Sequence, residues 1–237
     1  MPSATQPGPG VERLVLALDR ERDPRMEWHD GPDYGPVDRA VGGLADAEWS
    51  AAAELVRTRL EQGYDIHLGR AAVLLGGRET ERGRMLSALE AGLRREKRTA
   101  LVFRIAGNIL ALGPSAEAQG AFRRIVAGGS TWSVKVDALC TLKALLQERP
   151  ADRPLAELLP PETARALLAA VTDGDYLVRY HAADALRRAA GIDRELAQDR
   201  ELFGLICGKN AQANAEPDPE DRQGFERAKE LLSQPST

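Results

Sequence analysis

The sequence predicts an all-α fold, an α-α superhelix of about four helical hairpins with a cap at each end. Three observations carry that expectation. First, the stretch Asp173–Gly191 has the marks of a complete helix. An Asp-Gly turn precedes Asp175, whose carboxylate can accept backbone N–H groups two and three residues on. Val178, Ala182, Ala185, Leu186 and Ala189 recur at helical spacing and define one apolar face. Gly191 then supplies a left-handed position after the last turn. Second, similar stretches precede it, and their last leucines (Leu74, Leu110, Leu142 and Leu186) lie 36, 32 and 44 residues apart. A period of that size means stacked helical units. Third, the 237 residues are 43% hydrophobic, 29% charged and only 5% aromatic. A chain so rich in Ala and Leu packs helices closely and suits a β-sandwich poorly.

Taken in order, residues 1–45 are expected to form an irregular, partly disordered N-terminal cap. The first ten are Pro/Gly-rich, and Val11–Leu18 is too short to type by periodicity. Asp19–Gly43 is broken by Pro24, Pro32 and Pro36 and is read as loop. The array is expected over residues 46–191. Ala47–Gln62 forms a helix with Asp46 as its cap, and Asp65–Leu75 follows, ended by Gly76-Gly77. Thr80–Glu96 carries cations near its end, where they suit the helix dipole. Ala100–Leu112 stops at Gly113-Pro114. Ser115 caps a helix that ends at Gly128-Gly129, and another runs to about Gln147. A proline-rich insert leads into Glu162–Val171, which pairs with the 173–191 stretch. Residues 192–237 are expected to be a helical C-terminal cap, with Asp218-Pro219 starting a final amphipathic helix.

Stacking the second helix of each pair aligns three columns. Ile66, Val102, Val134 and Val178 share one, and Arg70, Ala106, Ala138 and Ala182 share another. Leu74, Leu110, Leu142 and Leu186 form the last. Small residues in the middle column let helices approach closely, and the Val and Leu columns fill the core between repeats. The unit at the end resembles a HEAT repeat, whose Asp-x-x-Val-Arg pattern stands here as Asp175-Tyr-Leu-Val-Arg179. The earlier units have His67, Phe103 and Lys135 where that Arg would be. The resemblance covers Asp46–Gly191 and implies an armadillo-like α-solenoid that binds proteins along the concave face lined by its second helices.

The formal net charge of −4 argues against general nucleic-acid binding. Charge is uneven: Arg78–Glu148 sums to +5 and Asp193–Thr237 to −4. Two cysteines, Cys140 and Cys207, make no disulfide framework. The N-terminal sequence lacks the pattern of a signal peptide, and no apolar run reaches membrane-spanning length. The expected localisation is cytoplasmic.

The outward positions of the second helices are the candidate binding surface: Arg104, Asn108, Asp137, Lys143, Tyr180, His181, Asp184 and Arg187. The first unit would add an apolar end made of Leu68, Gly69, Ala72 and Leu75. No catalytic residue, cofactor or metal site is expected. His29, His67 and His181 have no ligand partner at metal spacing, and neither cysteine sits in a nucleophile motif. The expected function is therefore that of a non-catalytic scaffold, adaptor or inhibitor-type partner, with a protein or peptide as its ligand. The alternative is a DNA-acting enzyme. Ser130-Thr-Trp-Ser-Val-Lys-Val-Asp137 is similar to the Trp/Asp stretch of HEAT-like alkylpurine DNA glycosylases, with shifted spacing. An acidic chain with few aromatics makes DNA the less expected partner.

Overall fold

The computed structural model describes residues 8–20, 32–209 and 217–233. Among them every regular element is a helix, and the chain divides into two compact units, Met1–Gly113 and Pro114–Thr237.

The first unit contains α1 (Pro9–Leu18), α2 (Gly35–Gly42), α3 (Trp49–Gln62), α4 (Ile66–Leu75), α5 (Glu79–Arg95) and α6 (Thr99–Leu112). A 3-10 turn at Asp46–Glu48 leads into α3. Successive helices pair as α1/α2, α3/α4 and α5/α6. Like then packs on like: α1 touches α3, α3 touches α5, α2 touches α4 and α4 touches α6. The core between these layers holds Leu14, Val37, Val56, Leu60, Leu75, Met85, Leu89, Ile105 and Ile109, all almost fully excluded from water.

The region expected to be an irregular cap thus supplies a further hairpin. Pro9 occupies the first turn of α1, and Val11, Leu14, Ala17 and Leu18 form its buried stripe. Pro36 likewise opens α2, whose buried residues are Val37, Ala40 and Val41. A proline in the first turn removes an N–H that has no intrahelical acceptor, so it starts a helix rather than breaking one. Glu48 ties the hairpin to α3. Its carboxylate accepts from the backbone N–H of Gly10 (2.7 Å) and of Ala45 (2.9 Å). Residues 1–7 of the expected disordered start lie outside the described residues.

The second unit contains α7 (Ala116–Ala127), α8 (Trp132–Gln147), α9 (Leu155–Leu158), α10 (Pro161–Ala170), α11 (Tyr176–Ala189), α12 (Arg200–Cys207) and α13 (Pro219–Ser233). Here α7 packs on α10, and α8 packs along α11. Within the proline-rich insert, α9 lies against α8. After a 3-10 turn at Leu196–Gln198, α12 covers α11 and α13 covers α10 and α12.

The helix ends form where the local chemistry dictates. Asp65 and Asp175 each accept two backbone N–H groups, while Ser115, Asp199 and Asp218 accept one each. Beyond α11, Gly191 adopts φ 76°. Its N–H donates to the Arg188 carbonyl, and that of Ile192 to the Arg187 carbonyl, closing a Schellman motif.

The aligned columns divide. Ala106, Ala138 and Ala182 are fully buried, as are Leu110 and Leu142. Leu186, expected to fill the core, is only half-buried, as is Leu74. On α11 the buried apolar residues are Val178, Ala182, Ala183 and Ala185, so the helix is turned with the alanine side inward and Leu186 at the margin.

Candidate functional site

The expected binding residues fall into two clusters, one per unit. In the second unit α8 and α11 lie side by side and their polar residues meet. Lys143 Nζ donates to Asp184 Oδ2 at 3.1 Å. Cys140 Sγ lies 3.4 Å from His181 Nδ1. Tyr180 stands edge-on to His181, with centroids 5.2 Å apart, and to Phe203 of α12 at 6.3 Å. Lys135, earlier on α8, is paired at 2.8 Å with Asp173.

Two of the residues expected on an open face are buried there. Asp184 is 5% exposed and Arg187 is 4% exposed. The reason is the C-terminal region: α12 and the Leu196–Gln198 turn lie over that side of α11. Arg187 Nη1 is 4.0 Å from Asp199 Oδ2 at the start of α12. Tyr180 and His181 stay half-buried and Asp137 is exposed. The apolar end expected at Leu68, Gly69, Ala72 and Leu75 is also closed, because α2 packs against α4 and all four are buried.

Sequence reading did not bring Cys140 and His181 together, because they come from different helices. Their electrostatics oppose nucleophilic chemistry. Burial pushes the Cys140 thiol pKa up. Burial, and next the Lys143 cation, push that of His181 down, against the pull of Asp184. Both shifts favour a neutral thiol beside a neutral imidazole, whereas a reactive cysteine needs the thiolate. Among the described residues no group of three or more His, Cys, Asp or Glu side chains is placed to hold a metal. His29 lies outside the described residues. Trp132 is 48% exposed. Trp132 and Asp137 are five residues apart on α8, about 140° around the helix, so they do not share a face.

The cluster of the first unit contains two of the expected residues, Arg104 and Asn108 of α6, and two that sequence reading missed, Tyr34 and Tyr64. Asn108 Nδ2 donates to Tyr64 Oη at 2.9 Å. Gly69 of α4 makes room for that bond: a Cβ there would collide with both atoms. Tyr34, just before α2, stands edge-on to His67 at 5.4 Å. The guanidinium of Arg70 lies 5.8 Å from the centre of the Tyr34 ring and makes a two-pronged pair with Asp38 at 2.8 and 2.9 Å. Burial raises the Tyr34 hydroxyl pKa, opposed by Arg104 and then Arg70. Burial raises that of Tyr64 further. Both phenols are therefore neutral donors throughout the physiological range.

A groove of about 430 Å³ lies between the N-termini of α7 and α10, lined by Ser115, Gln119, Arg123, Glu157, Pro160 and Glu162 among others. Its polar floor is already engaged. Gln119 donates to the Leu158 carbonyl at 2.7 Å and accepts from Thr163 at 2.8 Å.

No protein-family model matches the chain, and the searches of curated proteins and of solved structures likewise returned no match.

Proposed function

We propose that the protein is a non-catalytic binding module, a scaffold, adaptor or inhibitor-type partner built from HEAT-like helical hairpins. In this reading it engages a protein or peptide through its second helices. One observation carries it. On and beside the second helices, Tyr34, Tyr64, Arg104 and Asn108 of the first unit and Lys143, Tyr180 and His181 of the second meet from distant parts of the chain in half-buried patches. Tyr and Arg are the residue types that most often anchor protein interfaces, because each offers large contact area with a polar end. The solenoid assignment draws its support from the like-on-like packing of first and second helices within the units. Free Cys140 and Cys207 fit a reducing compartment such as the cytoplasm.

The DNA-acting alternative has less to recommend it. Lys135 is committed to Asp173 in a pair with both side chains less than 20% exposed, so a phosphate would have to displace a carboxylate.

The test is quantitative affinity capture with wild type, Arg104→Gln, Tyr180→Ala and Arg57→Ala. Arg57 sits on α3, a first helix, and its ion pairs among the described residues are with Glu54 and Glu61. A partner kept by Arg57→Ala but lost from Arg104→Gln or Tyr180→Ala, at unchanged Tm, is expected. A partner bound equally by all four proteins would place the interface elsewhere.

A further inference from the structure

Resting on that reading, we propose that Tyr34, Tyr64, Arg104 and Asn108 form a receptor for a side-chain carboxylate, presented by an acidic segment of the partner protein. The cluster is a set of converging donors with too few acceptors. Arg104 brings a guanidinium that faces the Tyr34 hydroxyl and lies 5.3 Å from the centre of the Phe103 ring. Among the described residues no carboxylate stands within ion-pair distance of it. The neighbouring cation, Arg70, is in contrast neutralised by Asp38 through both prongs. Tyr64 accepts from Asn108 and retains its own O–H to donate. Its burial keeps that proton on the oxygen. Asp65, at the edge of the cluster, already accepts from the backbone N–H groups of His67 and Leu68.

Charge chooses the ligand. A guanidinium with no carboxylate partner among the described residues, flanked by neutral phenols and an amide, matches a single negative charge. Arginine forks bind carboxylates and phosphates alike, but a phosphate ester carries about −1.5 to −2 and calls for further cations. Among the described residues, the neighbouring guanidinium of Arg70 is spent on Asp38. A half-buried guanidinium is also cheaper to desolvate on binding than an ammonium, because it is more weakly hydrated.

Gly69 is the second, independent element. The cluster exists because α4 has no side chain at that position, which lets Tyr64 and Asn108 meet above it. Gly69→Ala leaves every charge in place and pushes the two donors apart.

The experiment uses phage-displayed random dodecapeptides panned on the full chain. Because the displayed peptides have no free C-terminus, only side-chain carboxylates are sampled. Enriched peptides are then synthesised with a fluorescein label, alongside versions with Gln and Asn in place of Glu and Asp. The expected result is enrichment of Asp or Glu, with at least about tenfold weaker binding of the amide versions. Arg104→Gln, Tyr64→Phe and Gly69→Ala should each weaken the acidic peptide while leaving the amide version unchanged, with Tm preserved. Enrichment without acidic residues, acidic peptides bound equally well by Arg104→Gln and Gly69→Ala, or no enrichment at all would overturn the assignment. So would competition by inorganic phosphate well above that of acetate at equal concentration. Non-acidic peptides that are lost with Tyr180→Ala would sink the carboxylate receptor alone and leave the binding-module reading standing.

Discussion

Arg179 offers the sharpest test of how the second unit is held together. It occupies the Arg of the Asp-x-x-Val-Arg stretch, yet it is only 2% exposed, and its hydrogen bonds among the described residues go to backbone carbonyls. Its Nε donates to the Ile206 carbonyl at 2.8 Å, and its Nη1 to the carbonyls of Asp173 at 2.8 Å and Gly174 at 3.0 Å. Its Nη2 reaches the Cys207 carbonyl at 3.4 Å. The guanidinium lies 3.8 Å from the centre of the Phe225 ring of α13. One side chain thus caps the C-terminal end of α12, closes the turn before α11 and clamps α13. Burial lowers the Arg179 pKa, with Asp175 the first group to oppose it, and a guanidinium so far above neutral stays charged.

Arg179→Ala would orphan two or three buried carbonyls at about 1–3 kcal/mol each. It would also remove a desolvated cation–π contact worth about 2 kcal/mol. The guanidinium's own desolvation cost is recovered, which offsets several kcal/mol of that loss. The expected net destabilisation is about 3–5 kcal/mol. It should be read from urea unfolding followed by far-UV circular dichroism, with Tm lower by about 6–20 °C. Arg179→Lys keeps the charge but loses the fork, and should recover less than half of the loss. A loss below about 1 kcal/mol, or full rescue by Lys, would refute the idea that the fork joins these helices.

Two further outcomes follow from burial and charge. Leu142→Ala should cost about 2–5 kcal/mol, because Leu142 is 1% exposed, whereas half-buried Leu186→Ala should cost under about 2 kcal/mol; equal losses in the same urea titration would contradict the observed rotation of α11. Glu96, chiefly through the Arg98 guanidinium, has its carboxyl pulled down to about 2. A lowered folded-state pKa stabilises above the unfolded value of about 4.3 and loses that stabilisation as pH falls toward 2. Glu96→Gln should flatten that part of the stability–pH curve, and an unchanged curve would show that the pair contributes nothing.

Several helix ends were legible in the sequence, although Asp46, expected to cap the helix over 47–62, lies in the 3-10 turn before α3 and Glu48 takes the capping position. Asp65, Ser115, Asp175 and Gly191 mark their helix ends in the structure as their residue types require. The α1/α2 hairpin was hidden because Pro9 and Pro36 were weighed as breakers, and only neighbouring helices show that they start one. The surface was less legible than the core. Asp184 and Arg187 sit at positions that would face outward on a helix with one open side, but α12 closes that side of α11. No pattern inside α11 encodes the later helix that covers it. The Tyr34–Tyr64–Arg104–Asn108 patch draws on segments far apart in sequence, so no spacing within one helix reveals it. Its one local trace is Gly69, a helix-disfavouring residue in the middle of α4 with no turn to explain it.

The central claim, that the second helices carry the binding surface, is tested most directly by site-specific photo-crosslinking. Benzoylphenylalanine is placed at Asn108 or Tyr180 on second helices, and at Arg57 or Arg84 on the first helices α3 and α5. The account predicts a crosslink to one and the same partner protein from at least one second-helix position, and none from Arg57 or Arg84. Crosslinks confined to Arg57 or Arg84 would contradict it.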